Sequence, residues 1–379
     1  MRPPRLLYIG NSLDVGGSEV LGLEIFRRLH PGRFRIEAVC LKARGTLADE
    51  YENAGVRVDA NMLATRLDPL GPLRLARTLA GRRFDLLLVE PGRNALLLAT
   101  LARTLTRGRA TASWIMATGK WGRRRQFNRT ERLLLRRLEA VVVIAETQKR
   151  YLVEREGLSP ANLHLIPNGV DIDRFHPRPD LRAGARAALG LADGDFAIGI
   201  VASLTPEKAH GILVEAAARL RAEGLPVRLV VAGEGGERPV IEAAIAAAGL
   251  AGRAILLGIR RDLDRAVYPA LDLQVLVSHP YRETLPVSIL EGMACGLAVV
   301  ATRVGSVHDL VLDGETGLLV PPGDPRAVAG AIRALMLDPS RRAAYGRAGR
   351  ERAARRLSFE RMVEAYADLF ERLAAGRRS

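Results

Sequence analysis

The sequence predicts an α/β protein of two Rossmann-like domains, each a parallel sheet wrapped in helices. Three observations carry that expectation. Short apolar runs alternate with helix-length amphipathic segments along the chain, the pattern of right-handed βαβ units. The alternation breaks once, at the aperiodic, proline- and aspartate-rich PNGVDIDRFHPRPD of 167–180, which reads as a linker. The 379 residues are enough for two domains of ordinary size, each with its own core. The expected division is 1–168 and 169–357, followed by a final helix at 358–379.

In the first domain, RLLYIG at 5–10 is a buried strand ended by Gly10. The loop NSLDVGGSEV leads into a helix from about Ser18 to Leu29, with Ser18 as its expected N-cap. Further strands are expected at 34–41, 56–60, 85–89, 110–116, 140–144 and 163–166. Helices are expected between them near 46–54, 70–80, 94–105, 126–138 and 147–156. In the linker, Asp171-x-Asp173 reads as turn chemistry rather than a metal-binding pair. A second series then begins at Phe196. Its strands are AIGIVAS, VRLVVAG, AILLG, 273–277, 298–302 and 317–320. Its helices are expected at 210–223, 239–248, 262–270, from about Leu285, at 324–336 and at 340–356. The closing SFERMVEAYADLFERLA is amphipathic, with Phe359, Met362, Tyr366, Leu369 and Phe370 on or near one face.

Composition narrows the class. No apolar run approaches a membrane span, and MRPPRLLYIGNS is too short in apolar residues for a secretory signal. Cys40 and Cys295, far apart and beside apolar residues, read as reduced thiols of a cytoplasmic protein. The net charge of +15 is uneven: residues 1–168 hold 29 basic and 16 acidic side chains, and so carry most of it. The excess peaks at Lys120 to Arg137, with eight basic residues and one acidic. Such a patch attracts phosphates. With Trp121, Phe127 and Leu133, Leu134, Leu135 and Leu138, it also suits a helix resting on an anionic membrane, at the inner face. The competing reading is an ordinary domain helix with its arginines in water. The chain uses 53 arginines and 4 lysines, so compositional drift accounts for part of the excess.

The chemistry concentrates in SHPYRETLPVSILEGMACG, 278–296. It follows a buried strand and enters a helix, with Thr284 as the expected N-cap and Pro286 in the first turn. Glu283 lies before that helix and Glu291 inside it, among Ile289, Leu290 and Met293, where a carboxylate needs partners. Free amides at the helix start can hold an anion such as a diphosphate. Lys208 stands in the strand-to-helix loop Ser203–Lys208, where an ammonium can balance phosphate charge. Gly233-Glu234-Gly235-Gly236 is not a dinucleotide fingerprint, because Arg238 occupies the third glycine position.

ETLPVSILEGMACGLAVVAT, followed by GETGLLVPPGD, closely resembles the donor-sugar site of GT-B-fold retaining glycosyltransferases of family 4, including their E-x7-E element. That resemblance implies two domains facing a cleft, with the final helix packing back on the first. It implies sugar transfer from a nucleotide diphosphate donor to a glycan, lipid-linked or small-molecule acceptor, with retention of configuration and without metal or cofactor. By the same resemblance Glu283 contacts the donor sugar and Glu291 the ribose. Lys208 and Ser203 fall in the phosphate-binding loop, with Ser203 where an arginine is usual. Gly233, Gly258, Ile259 and Arg260 lie beside the nucleotide, and Thr284, Leu285, Pro286 and Val287 beside the diphosphate or sugar. Gly16 and Gly17 match the first domain's GG loop. Thr118 stands where many members carry a histidine near the reaction centre. The departing phosphate is then the acceptor's base. Two rival readings share the fold: a non-catalytic nucleotide-sugar binder and a sugar-nucleotide epimerase or hydrolase. No nucleic-acid partner is expected.

Overall fold

The computed structural model describes residues 2–14, 17–65, 68–116, 125–280 and 283–376. The chain divides into two compact units. One contains 1–116, 124–166 and 362–379, and the other holds Pro167–Arg361.

The first unit is built on seven parallel strands in the order β3-β2-β1-β4-β5-β6-β7. In chain order its elements are β1 (Arg5–Gly10), α1 (Gly17–Leu29), β2 (Arg35–Cys40), α2 (Ala48–Asn53), β3 (Arg57–Asp59), α3 (Gly71–Leu79) and β4 (Leu86–Val89). They continue as α4 (Arg93–Thr106), β5 (Ala110–Ile115), α5 (Arg129–Leu135), β6 (Ala140–Val143), α6 (Glu146–Glu154) and β7 (Leu163–Leu165). Strands β4, β5 and β6 are buried along their whole length. That burial is why they appear in the sequence as continuous apolar runs rather than alternating ones. An aromatic cluster fills one side of the sheet, with Trp114 stacked on Phe26 at 5.7 Å and Tyr8 tilted against Trp114 at 5.4 Å. The last helix, α14 (Phe359–Ala374), adds Tyr366 edge-on to Trp114 and Phe370 edge-on to Phe34. Arg33 secures it from outside by bonding Glu364 and Glu371.

The second unit holds six parallel strands in the order β10-β9-β8-β11-β12-β13. Its elements are α7 (Pro179–Ala188), β8 (Phe196–Val201), α8 (His210–Ala222), β9 (Val227–Ala232), α9 (Arg238–Ala247), β10 (Ala254–Leu256) and β11 (Leu273–Leu276). Then follow α10 (Val287–Ala294), β12 (Val299–Thr302), α11 (Val307–Leu310), β13 (Gly317–Val320), α12 (Pro325–Leu337) and α13 (Pro339–Arg356). In each sheet the strand order reverses at the first strand of the series, between β1 and β4 and between β8 and β11. A crevice opens outside the carboxyl ends of the strands at such a point.

Several local expectations change. Helix α1 begins at Gly17, so Ser18 lies in its first turn instead of capping it, and its hydroxyl bonds Glu19. The helix expected at 262–270 is a wide turn over Leu263–Val267 followed by a tighter one over Tyr268–Ala270, because Pro269 has no N–H to continue a ladder. Helix α7 was not anticipated. It docks through arginines: Arg182 bonds the carbonyls of Pro269 and Leu271 with Asp272, and buried Arg186 bonds those of Ala270, Ala192 and Asp195. In the linker, Asp171 accepts from the amides of Asp173 and Arg174, an Asx turn as expected. Cys40 and Cys295 are free thiols, and burial pushes both up to about 12.

Candidate functional site

The crevice between β8 and β11 gathers most of the sequence-derived site residues. Three loops meet there and are joined by backbone bonds. Gly233 N–H donates to the Gly258 carbonyl at 2.9 Å, Leu204 N–H to Glu234 at 2.9 Å and Glu237 N–H to Leu204 at 3.0 Å. Gly233 adopts φ +148°, and a Cβ there would lie 1.9 Å from the Ala202 carbonyl oxygen, so only glycine fits. Beyond Gly258, Ile259 is 75 % exposed, an unusual setting for a large apolar side chain. The guanidinium of Arg260 is held by Asp262 through two bonds of 2.8 and 2.6 Å. Ser203 lies exposed in the loop after β8.

That loop closes in a turn over Pro206–Lys208 and turns sharply at Ala209, whose φ of +48° is left-handed. Alanine rarely adopts this conformation. The turn delivers Lys208 to Glu283: Nζ donates to Oε2 at 2.6 Å. The same oxygen accepts the Ser278 hydroxyl at 2.6 Å, and Thr302 bonds the Ser278 carbonyl. Glu283 is only 7 % exposed and is thus a buried carboxylate with both a cation and a hydroxyl donor. The expectation did not include Ser278 as a partner, although its place at the end of β11 could have signalled it.

Helix α10 begins at Val287, with Pro286 in extended backbone as the last non-helical residue. Pro286 is therefore the N-cap rather than a first-turn residue. Thr284 lies too far upstream to cap and is buried at 4 % exposure. Among the described residues no side chain caps the helix, so its first amides have no partner within it. The Leu285 carbonyl accepts the amide of buried Asn168 at 3.1 Å, which ties the linker to this turn. Asn168 is a second residue that sequence reasoning passed over.

One turn further along, Glu291 accepts the Tyr268 hydroxyl at 2.7 Å. Burial pushes its carboxyl up to about 7, against the opposing pulls of the Tyr268 bond and of Arg174. Gly292 follows because a Cβ there would lie 1.3 Å from Gln274 Oε1, whose amide bonds the Ser288 carbonyl. His210, at the start of α8, is buried with no hydrogen-bond partner for either ring nitrogen among the described residues. Burial and then Lys208 push it down to about 4.

The structure thus brings Lys208 and Glu283 into contact, sets Leu285, Pro286 and Val287 at the helix start, and places Glu291 inside the helix. Gly17 belongs to the first unit. Gly16, Thr118 and residues 120–124 lie outside the described residues. In the described part of the basic segment, Phe127 is buried, Arg132 bonds the Phe127 carbonyl and Arg136 bonds the Gly157 carbonyl. Leu133 is 50 % exposed.

Two family models match the chain in succession: "Glycosyltransferase Family 4" over 15–174 and "Glycosyl transferases group 1" over 195–338. A D-inositol 3-phosphate glycosyltransferase of Geodermatophilus obscurus is 37 % identical over 253 residues, covering 62 % of this chain and 54 % of its own. A GDP-mannose-dependent alpha-(1-6)-phosphatidylinositol monomannoside mannosyltransferase of Mycolicibacterium smegmatis is 34 % identical, covering 58 % of this chain and 59 % of its own. The match therefore spans little more than half the length of these relatives. Among solved structures, Anabaena HepE in complex with UDP superposes with a TM-score of 0.83 at 22 % identity, covering 97 % of this chain and 99 % of its own. A glycosyltransferase from Rickettsia africae gives 0.85 at 18 % identity, covering 98 % and 99 %. At those identities the likeness speaks for the fold, two Rossmann-like parallel-sheet units of GT-B type.

Proposed function

Because the chain belongs to the group 1, family 4 glycosyltransferases, we propose that it moves a sugar from a nucleotide diphosphate sugar to an acceptor hydroxyl with retention of configuration. The observation that carries this reading is the pair of half-buried Lys208 and buried Glu283 beside the uncapped start of α10. The donor diphosphate sits on the amides of Val287 and its neighbours, where the helix dipole favours negative charge. Lys208 has three N–H donors, so it can keep Glu283 and still donate to a phosphate oxygen. As the bond from sugar to phosphate breaks, that ammonium offsets the growing charge. Glu283, fixed by Ser278 and Lys208, accepts from the donor sugar's hydroxyls. Glu291 accepts from the ribose hydroxyls, with Tyr268 fixing its other side. The departing phosphate takes the acceptor's proton, so no protein nucleophile and no metal is required.

The base is proposed as uracil or guanine, in keeping with the neighbour bound to UDP and the GDP-mannose-dependent relative. The test is incubation with UDP-, GDP- and ADP-sugars, following nucleoside diphosphate release and the shift in Tm. One nucleotide class should raise Tm and be consumed slowly even without acceptor. If no nucleotide sugar stabilises the protein or is consumed, the reading fails. A second reading concerns location: peripheral contact with an anionic membrane through 120–137. It is favoured by exposed Leu133 and Arg137 and tested by cosedimentation with anionic and neutral vesicles.

A further inference from the structure

At the amino ends of the first unit's strands, a group of arginines surrounds a cavity of about 450 Å³. Arg5, Arg35 and Arg57 are the first residues of β1, β2 and β3, and Arg82 lies in the turn before β4. The loops after α1 and α2 add His30 and Gly55. Parallel pairing sets these strand starts side by side, with Arg5 in register with Arg35 and Glu37 with Arg57. The sheet thus gathers four arginines, scattered along the sequence, at one rim.

The carboxylates at this rim are committed, and most of the guanidinium donors are not. Glu37, the only acidic side chain lining the cavity, gives one oxygen to Arg5 and the other to Arg82 at 3.2 Å. Asp59 beside it accepts from Arg82 at 2.6 Å and from Arg57 at 3.3 Å. Asp85 takes the Arg5 N–H at 3.0 Å and faces Arg109 at 3.8 Å. A guanidinium has five N–H donors, so Arg5, Arg57 and Arg82 each keep several that these bonds do not use. Arg35 is exposed, and its side chain makes no hydrogen bond or ion pair among the described residues. The Arg5 guanidinium lies over the Phe84 ring, 5.0 Å from its centroid, and Arg82 is half-buried, so both are fixed in place. His30 accepts the Ile36 N–H on Nδ1 at 3.0 Å, which leaves its ring proton on Nε2 as one more donor. Gly55, at φ +85°, keeps that nitrogen uncovered, since a Cβ there would lie 2.9 Å from it.

The result is a concave site that is positive and rich in unused donors. We propose that this cavity binds a compact oxyanion of two or more charges, a pyrophosphate or a phosphate ester, on the forks of Arg35 and Arg57 with Arg5, Arg82 and His30 behind them. Planar guanidiniums match the paired oxygens of such a group. The cavity's size falls within that of small-molecule sites. A soluble anion suits it better than a lipid headgroup, because no exposed large apolar side chain among the described residues lines it, and a bilayer would receive nothing apolar there. The proposal does not rest on the transferase reading, since every residue it uses belongs to the first unit and stands at the amino ends of its strands. Bound there, the anion joins the starts of β1, β2 and β3 and stabilises the first unit by mass action.

The test is an NMR titration of the full chain with pyrophosphate, at constant ionic strength made up with sodium chloride. It follows the His30 ring signal, assigned by its loss in His30→Gln, so that pyrophosphate bound elsewhere on the chain is not counted. The signal should move and saturate with pyrophosphate, and sodium chloride alone should leave it in place. The affinity read from it should fall about tenfold or more in Arg35→Ser with Arg57→Ser, and by less in Arg35→Lys with Arg57→Lys, which keeps the charge and loses the fork. Thermal melts without the anion check that both variants fold, and Arg35→Ser alone replaces the double variant if it does not. Pyrophosphate should raise the Tm of the wild type and not that of the serine variant. A still His30 signal at millimolar pyrophosphate, an equal movement with chloride, or an unaltered affinity in the serine variant would each overturn the proposal. A parallel arm cosediments the protein with phosphatidylcholine vesicles with and without phosphatidic acid. Binding that needs phosphatidic acid and is lost in the serine variant, while pyrophosphate leaves His30 unmoved, would overturn the proposal in favour of a lipid headgroup.

Discussion

At the scale of single residues, the three charged groups of the crevice beside β8 and β11 should separate in their effects. If Glu291 accepts from the ribose as proposed, Glu291→Ala should weaken nucleoside diphosphate affinity about tenfold or more, the worth of a hydrogen bond to a charged group. Lys208→Ala should do the same through the phosphate, and it also leaves Glu283 buried without its cation. On the proposed reading, in which this carboxylate meets the sugar, Glu283→Ala should behave differently: transfer falls at least a hundredfold while the affinity for free UDP stays within about threefold. Calorimetry beside a transfer assay reads all three, and equal loss of affinity in Glu283→Ala would reassign that residue to the nucleotide. Ala209 offers a test of stability. Its left-handed backbone costs roughly 1 kcal/mol that glycine would not incur, so Ala209→Gly should raise Tm by a few degrees. Ala209 shows the limit of reading single residues, since nothing in an alanine announces a positive φ. Glu283, Glu291 and Lys208 were legible because charged residues stood where a strand ends or a helix buries its face. Ser278 and His210 were passed over, because a lone serine after a strand and a lone histidine at a helix start gain significance only from the packing that buries them.

At the scale of elements, legibility followed the way each one is buried. Strands covered on both faces produce apolar runs that can be read directly, and all seven strands expected in the first unit are present. Helix α7 left no such trace, because Arg182 and Arg186 dock it on carbonyls and Asp272 and it needs no apolar stripe. The start of α10 lies two residues beyond the expected one, because Pro286 keeps extended backbone as the N-cap instead of entering the first turn. Helix α14 was legible as amphipathic, and its partners are now known: Tyr366 on Trp114 and Phe370 on Phe34. Tyr366 is fully buried, so Tyr366→Ala should cost about 3–5 kcal/mol in denaturant unfolding, as large-to-small core changes do. A loss below about 1 kcal/mol would mean that α14 adds little to the first unit's core.

At the scale of the whole molecule, two buried groups pull the pH dependence of stability in opposite directions. Glu291 has its carboxyl pushed from the ordinary 4.5 to about 7 in the folded chain. Between those values the folded state binds more protons than the unfolded state, so this group makes stability fall as pH rises. The full effect is of order 3 kcal/mol, from 1.36 kcal/mol for each tenfold change in proton affinity. His210 has its imidazole pushed from 6.5 to about 4. Between those values the unfolded state binds more protons, so His210 makes stability fall as pH drops. Across pH 4.5 to 6.5 the two contributions therefore oppose each other, and the wild type should show little net slope from this pair. Glu291→Gln leaves His210 unopposed, so its urea midpoint should climb as pH rises from 5 to 6.5. His210→Gln leaves Glu291 unopposed, so its midpoint should fall over the same range. Urea titrations of the wild type and both variants at pH 5, 5.75 and 6.5 measure this directly. Parallel midpoint curves for all three proteins would show that neither group titrates in the buried environment the fold gives it.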